Sequence, residues 1–121
     1  MRTYRIVRLA GLHTPRAGQE IIRQFPDFED KTYDEQAASL FSMKYLYSNS
    51  FSRAMQKLGQ EAYDVVWDFD IMQKQWAKEN GIACMDSNWR TTVLLEQIKC
   101  IRPDVVYFQG TELAIPGRPD P

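Results

Sequence analysis

The sequence predicts an α/β domain built on a short parallel sheet. Three observations predict it. The segments "YRIVRLA", "AYDVVW" and "VVYF", at 4–10, 62–67 and 105–108, are short and rich in β-branched or aromatic residues. Long stretches with apolar residues at steps of three and four separate them. Glycine, proline or a capping residue punctuates the junctions. Strands alternating with helices on that scale define a sheet covered on both faces.

The first strand ends at Gly11. Thr14-Pro15 then offers a capping hydroxyl before a proline suited to a first helical turn, and Ile21, Ile22 and Phe25 continue at helical spacing until Pro26, predicting a helix over 15–25. Thr32-x-x-Glu35 has the spacing of a capping box, and Tyr33, Ala37, Leu40, Phe41 and Tyr45 form one stripe after it. Phe51, Ala54, Met55 and Leu58 predict an amphipathic helix over 50–58 that buries those four, with Ser48 or Asn49 as its cap.

Gly59 falls where a helix ends in a left-handed residue, and the second strand follows directly. Asp70-x-x-Gln73 repeats the capping-box spacing, opening a helix that carries Met72 and Trp76 and stops at Asn80-Gly81. Asp86 or Ser87 opens a last helix, with Trp89, Val93, Leu94, Ile98 and Ile101 in phase up to Arg102-Pro103. The third strand comes next. Residues 1–110 therefore form one domain, and 111–121, rich in proline and glycine, read as a tail or linker. Right-handed crossovers favour the strand order 3-2-1, half of a Rossmann-like sheet, with the first strand, β1 (4–10), at an exposed edge.

Composition narrows the function. A chain of 121 residues holds one core, and 15 Lys and Arg against 16 Asp and Glu leave no basic field to attract nucleic acid. The amino-terminal apolar stretch is broken by Arg8 and too short for a signal or a membrane span, so a cytoplasmic protein without membrane association is expected. Cys84 and Cys100 lie apart from each other and from His13, the single histidine, so no zinc site, metal or cofactor is expected.

Ligands of open parallel sheets collect beyond the carboxyl ends of the strands. Three loops qualify, at 11–16, 68–70 and 109–112. Gly11 permits close backbone approach; His13 titrates near neutrality and is the candidate general base; Arg16 could clamp an anion. Asp68, Gln109 and Glu112 complete the candidate ligand contacts. A dinucleotide fingerprint is absent, because "AGLHTPRAG" holds only Gly11 and Gly18. Ser48, Ser50 and Ser52 lack the elbow pattern of a nucleophile and read as caps or helix surface.

Four segments, "YRIVRLAG", "TYDEQAASLFSMKYLYSNSFSRAMQKLGQEAYDVV", "MQKQWAKENGI" and "LLEQIKCIRPDVVYFQ", together resemble the amino-terminal domain of GT-B glycosyltransferases, in particular the spore-maturation-protein-like family. The likeness spans most of residues 4–110. "LGQEAYDVV" is similar to the Leu-Gly-His-Glu-Val junction of such domains, with Gln60 in place of the histidine, and "RPDVVYFQ" is similar to their third strand. The resemblance implies an acceptor-side lobe that faces a carboxyl-terminal lobe binding the nucleotide-sugar donor. It also implies a fragment inactive alone, with His13 in the loop that carries a base in several related enzymes. A homodimer through β1 or through swapped helices is the expected assembly. The alternative is a stand-alone Rossmann-like module for a small anion or nucleotide, or an interaction domain.

Overall fold

In a computed structural model, residues 2–12, 15–43 and 49–109 are described. The elements run β1 (Arg5–Ala10), α1 (Pro15–Gln24), a single 3-10 turn (Phe28–Asp30), α2 (Tyr33–Ser42), α3 (Ser50–Lys57), β2 (Glu61–Val66), α4 (Asp70–Glu79), α5 (Trp89–Ile101) and β3 (Val105–Gln109). The α/β class and the parallel sheet are as the sequence predicts. The tail at 111–121, His13, Thr14, Tyr45 and Ser48 lie outside the described residues.

Strand order is the main correction. The three strands run β2-β1-β3, all parallel, so β1 is central and has no open edge. Burial explains the choice: Val7, Arg8, Leu9 and Ala10 are all buried, which only a strand flanked on both sides and covered on both faces achieves. β1 pairs with β2 from Arg5↔Glu61 to Ala10↔Val66 and with β3 from Ile6↔Val105 to Ala10↔Gln109.

Alternation divides the helices between the faces. On one face Ala10 and Val66 pack with Ala17 and Ile21 of α1, Phe28, Leu40 of α2 and Met72 of α4. On the other, Val7, Leu9 and Val65 pack with Leu94, Ile98 and Ile101 of α5. α4 and α5 close a third cluster through Ala77, Trp89 and Val93, and between them Gln73 and Gln97 exchange two buried amide hydrogen bonds of 2.7 and 2.9 Å.

Local chemistry accounts for most ends. Thr32 Oγ1 accepts from the Glu35 amide at 3.2 Å and the Glu35 carboxylate accepts from the Thr32 amide at 3.0 Å, so the capping box forms as read. Those bonds hold the exposed Glu35 carboxyl below the usual carboxylate range. Gly59 adopts φ +85°, the left-handed turn that joins α3 to β2. Gln60 Oε1 accepts the Tyr4 amide at 2.5 Å, which ties the α3–β2 junction to the residue before β1.

Three caps differ from expectation: Asn88, rather than Asp86 or Ser87, stands at the N-cap of α5, without a side-chain bond. Asp70 is the first residue of α4 and makes no cap bond; its carboxylate receives Arg90 at 2.9 and 2.6 Å instead, while Gln73 turns inward to Gln97. Asn49 stands at the N-cap of α3 without a side-chain bond. α3 is also rolled relative to its expected face. Ser52 is buried and Gln56 Nε2 donates to the Ala62 carbonyl at 3.0 Å, while Ala54 is exposed and Leu58 is 59% exposed. Met55 and Leu58 instead line an open apolar hollow together with Tyr4, Ile6 and Val105.

Candidate functional site

The carboxyl edge of the sheet gathers part of the expected site. Gly11 follows β1 directly, Asp68 follows β2, and Gln109 ends β3 beside Ala10 in register. Arg16 stands exposed near the start of α1. His13 and Glu112 lie outside the described residues, so the structure places neither.

Asp68 is tied to the first loop. Its Oδ1 and Oδ2 accept the Leu12 amide at 2.9 and 3.2 Å. The next residue, Phe69, is buried and stacks on Phe28 with ring centroids 5.6 Å apart, which anchors the turn that aims Asp68. A Cβ on Gly11 would stand 2.6 Å from Asp68 Oδ2. A side chain at position 11 would therefore displace this carboxylate from the Leu12 amide. The exposed carboxylate has acceptor capacity beyond the Leu12 amide.

Topology serves this edge from both faces. Helices α1 to α3 leave β1 on one face, and α5 leads to β3 on the opposite face. In open α/β sheets the carboxyl edge between two strands served from opposite faces is where ligands are accepted. α1 has no acidic residue in its first turn, so no carboxylate of its own opposes an anion near its amino terminus.

A second polar region lies beneath α2 and α3, and the sequence did not point to it. Arg8 Nε donates to Asp64 Oδ1 at 2.5 Å across directly paired positions of β1 and β2, with the side chains only 7% and 4% exposed. A hollow of about 250 Å³ beside them is lined by Tyr33, Asn49, Ser52, Gln56 and Asp64 over Phe41 and Met72. Ser52 Oγ is buried there without a hydrogen-bond partner. Tyr33 flanks the hollow, and its amide donates to Glu79 Oε2 at 2.7 Å. Burial first, then the charges of Asp34, Asp64 and Glu79, push its phenol up to about 12, so it remains a neutral donor. The available signal was a pair of opposite charges in each of two strands, Arg5 and Arg8 against Glu61 and Asp64, legible only once the strands are known to be neighbours.

Among the described residues no group of three or more His, Cys, Asp or Glu could hold a metal ion, and no helix is long and apolar enough to cross a membrane. Cys84 and Cys100 are free thiols, the first half-buried and the second exposed. Comparison of the chain with protein-family models, with curated proteins and with solved structures returns no match.

Proposed function

We propose that the chain is the acceptor-side half-lobe of a GT-B-type glycosyltransferase, holding a hydroxyl-bearing acceptor at its carboxyl strand edge and relying on a donor-binding lobe for turnover. One observation supports the reading above the others: the 2-1-3 order opens a switch point after β1, floored by the Gly11–Leu12 backbone and the Asp68 carboxylate. An exposed carboxylate already fixed by one amide is a preset acceptor for a sugar hydroxyl. His13, in the same loop by sequence, is the group that would take the acceptor proton, and Arg16 and Gln109 are further contacts at that edge.

A second reading, a stand-alone module for a small anion or nucleotide, is favoured by the absence of acid in the first turn of α1 and by exposed Arg16. Amide chemical-shift titration of the 121-residue chain separates the two. Glucose is expected to move Gly11 and Leu12, with inorganic phosphate and UDP inert; movement of the α1 amides by phosphate alone favours the second reading. Silence towards all three probes defeats both.

A further inference from the structure

Two hollows meet at β2. The one of about 250 Å³ between α2 and α3 and a second of about 310 Å³ between α2, α4 and α5 share Tyr33, Asp34, Tyr63 and Asp64, so they adjoin across these side chains. Neither Gly11 nor Asp68 lines them, which sets them apart from the carboxyl strand edge. Sites for drug-sized ligands run from about 300 Å³ upward, so the first hollow suits a smaller molecule.

Charge selects that molecule. Every charged residue lining either hollow is acidic: Asp34 and Asp64 where they adjoin, and Glu79 in the second. Arg8 offsets Asp64, whereas the exposed Asp34 and Glu79 make no ion pair among the described residues. Tyr33 registers the sign of the field, since after burial the charges of these three carboxylates raise its phenol. Such a field repels an anion and draws in a cation.

The remaining lining shapes the rest of the ligand. Ala37, Phe41, Val66 and Met72 give the first hollow an apolar wall for an alkyl stem, and the Tyr33 and Phe41 rings are faces for a cation. Ser52, only 3% exposed, lines the same hollow, and its Oγ has no hydrogen-bond partner. Asn49 also lines it and makes no side-chain cap bond to α3. An unpaired buried hydroxyl carries a desolvation cost that a polar group of a ligand offsets.

We propose that the hollow between α2 and α3 binds a short aliphatic amino alcohol. Its ammonium lies at Asp34, in the field of Asp64 and Glu79; its stem lies on Phe41 and Met72; its hydroxyl meets Ser52 Oγ and Asn49. The far end is a hydroxyl because a second ammonium would be buried beside Ser52 without a carboxylate of its own, Asp64 being held by Arg8. The proposal goes beyond the acceptor reading and does not rest on it.

The test is amide chemical-shift titration of the full chain with aminopropanol and aminopentanol, up to about 20 mM at fixed ionic strength. At least one is expected to move the Ala37, Ser52 and Asp64 amides while Gly11 and Leu12 stay still. The simple amine and the diol of the same length each lack one end and should bind about tenfold more weakly. Asp34→Asn should weaken the amino alcohol by about tenfold and leave the diol unchanged. Ser52→Ala should bring the amino alcohol down to the level of the simple amine and leave that amine unchanged. Urea melts of Ser52→Ala without ligand should match or exceed the parent, because only an unpartnered hydroxyl is lost. No movement with either amino alcohol, or movement confined to Gly11 and Leu12, overturns the proposal. So does a diol that binds equally well, binding that neither substitution weakens, or a marked loss of stability in Ser52→Ala.

Discussion

Replacing Asp64 by alanine withdraws the carboxylate from a guanidinium that the sheet and α2 hold away from water. The Arg8 and Asp64 side chains are 7% and 4% exposed, and the bond between them is 2.5 Å. At that burial the loss is dominated by the charge left behind, and breaking such a pair from one side costs about 3–5 kcal/mol. A domain of 121 residues has a total stability of about 6–18 kcal/mol, so the variant still folds but with a large share of its margin gone. Arg8→Met combined with Asp64→Leu removes both charges and should fall within about 1 kcal/mol of the parent. Urea denaturation of the parent, both single variants and the double variant closes the cycle. Single losses under about 1 kcal/mol, or a double loss equal to the sum of the singles, would refute the placement of this pair between β1 and β2.

Gly11→Ala drives a Cβ to 2.6 Å from Asp68 Oδ2 and should cost about 1–3 kcal/mol in urea melts, falling below about 0.5 kcal/mol in an Asp68→Ala background. Gln73→Leu leaves the buried Gln97 amide without its reciprocal partner; a loss of about 1–3 kcal/mol is expected, largely recovered by Gln73→Leu/Gln97→Leu. The Tyr33 phenol rises from 10.0 to about 12 on folding. Below pH 10 both states keep the proton, whereas between 10 and about 12 the unfolded chain loses it first, so stability falls with pH there by at most about 2.7 kcal/mol. Tyr33→Phe should flatten that alkaline slope, and an unchanged slope counts against the buried environment of the ring.

Local chemistry was legible in the residues themselves. The capping box at Thr32 and Glu35, the left-handed Gly59 and the helix end at Arg102-Pro103 involve neighbours a few positions apart, so their partners are written beside them. Periodicity located α1, α3 and α4 to within a residue or two for the same reason, whereas the stripe read through Tyr45 runs past Ser42, where α2 ends. It failed where a polar group faced inward: Gln36, Ser39, Ser52, Gln73 and Gln97 are all buried, and each reads as surface in a hydrophobic pattern. At the candidate site the residue types at Gly11 and Asp68 were singled out from sequence, but their bond through Leu12 was not, because the two loops are 56 positions apart along the chain.

The sequence by itself determined the class, the three strands and their punctuation, since these depend on composition and on contacts within a few residues. Tertiary structure alone decided that β1 lies between β2 and β3. That placement is set by how much apolar surface each strand can cover on two sides, a property of the packed sheet. It also decided that Arg8 meets Asp64 and that Gly11 lies against a carboxylate of this same chain.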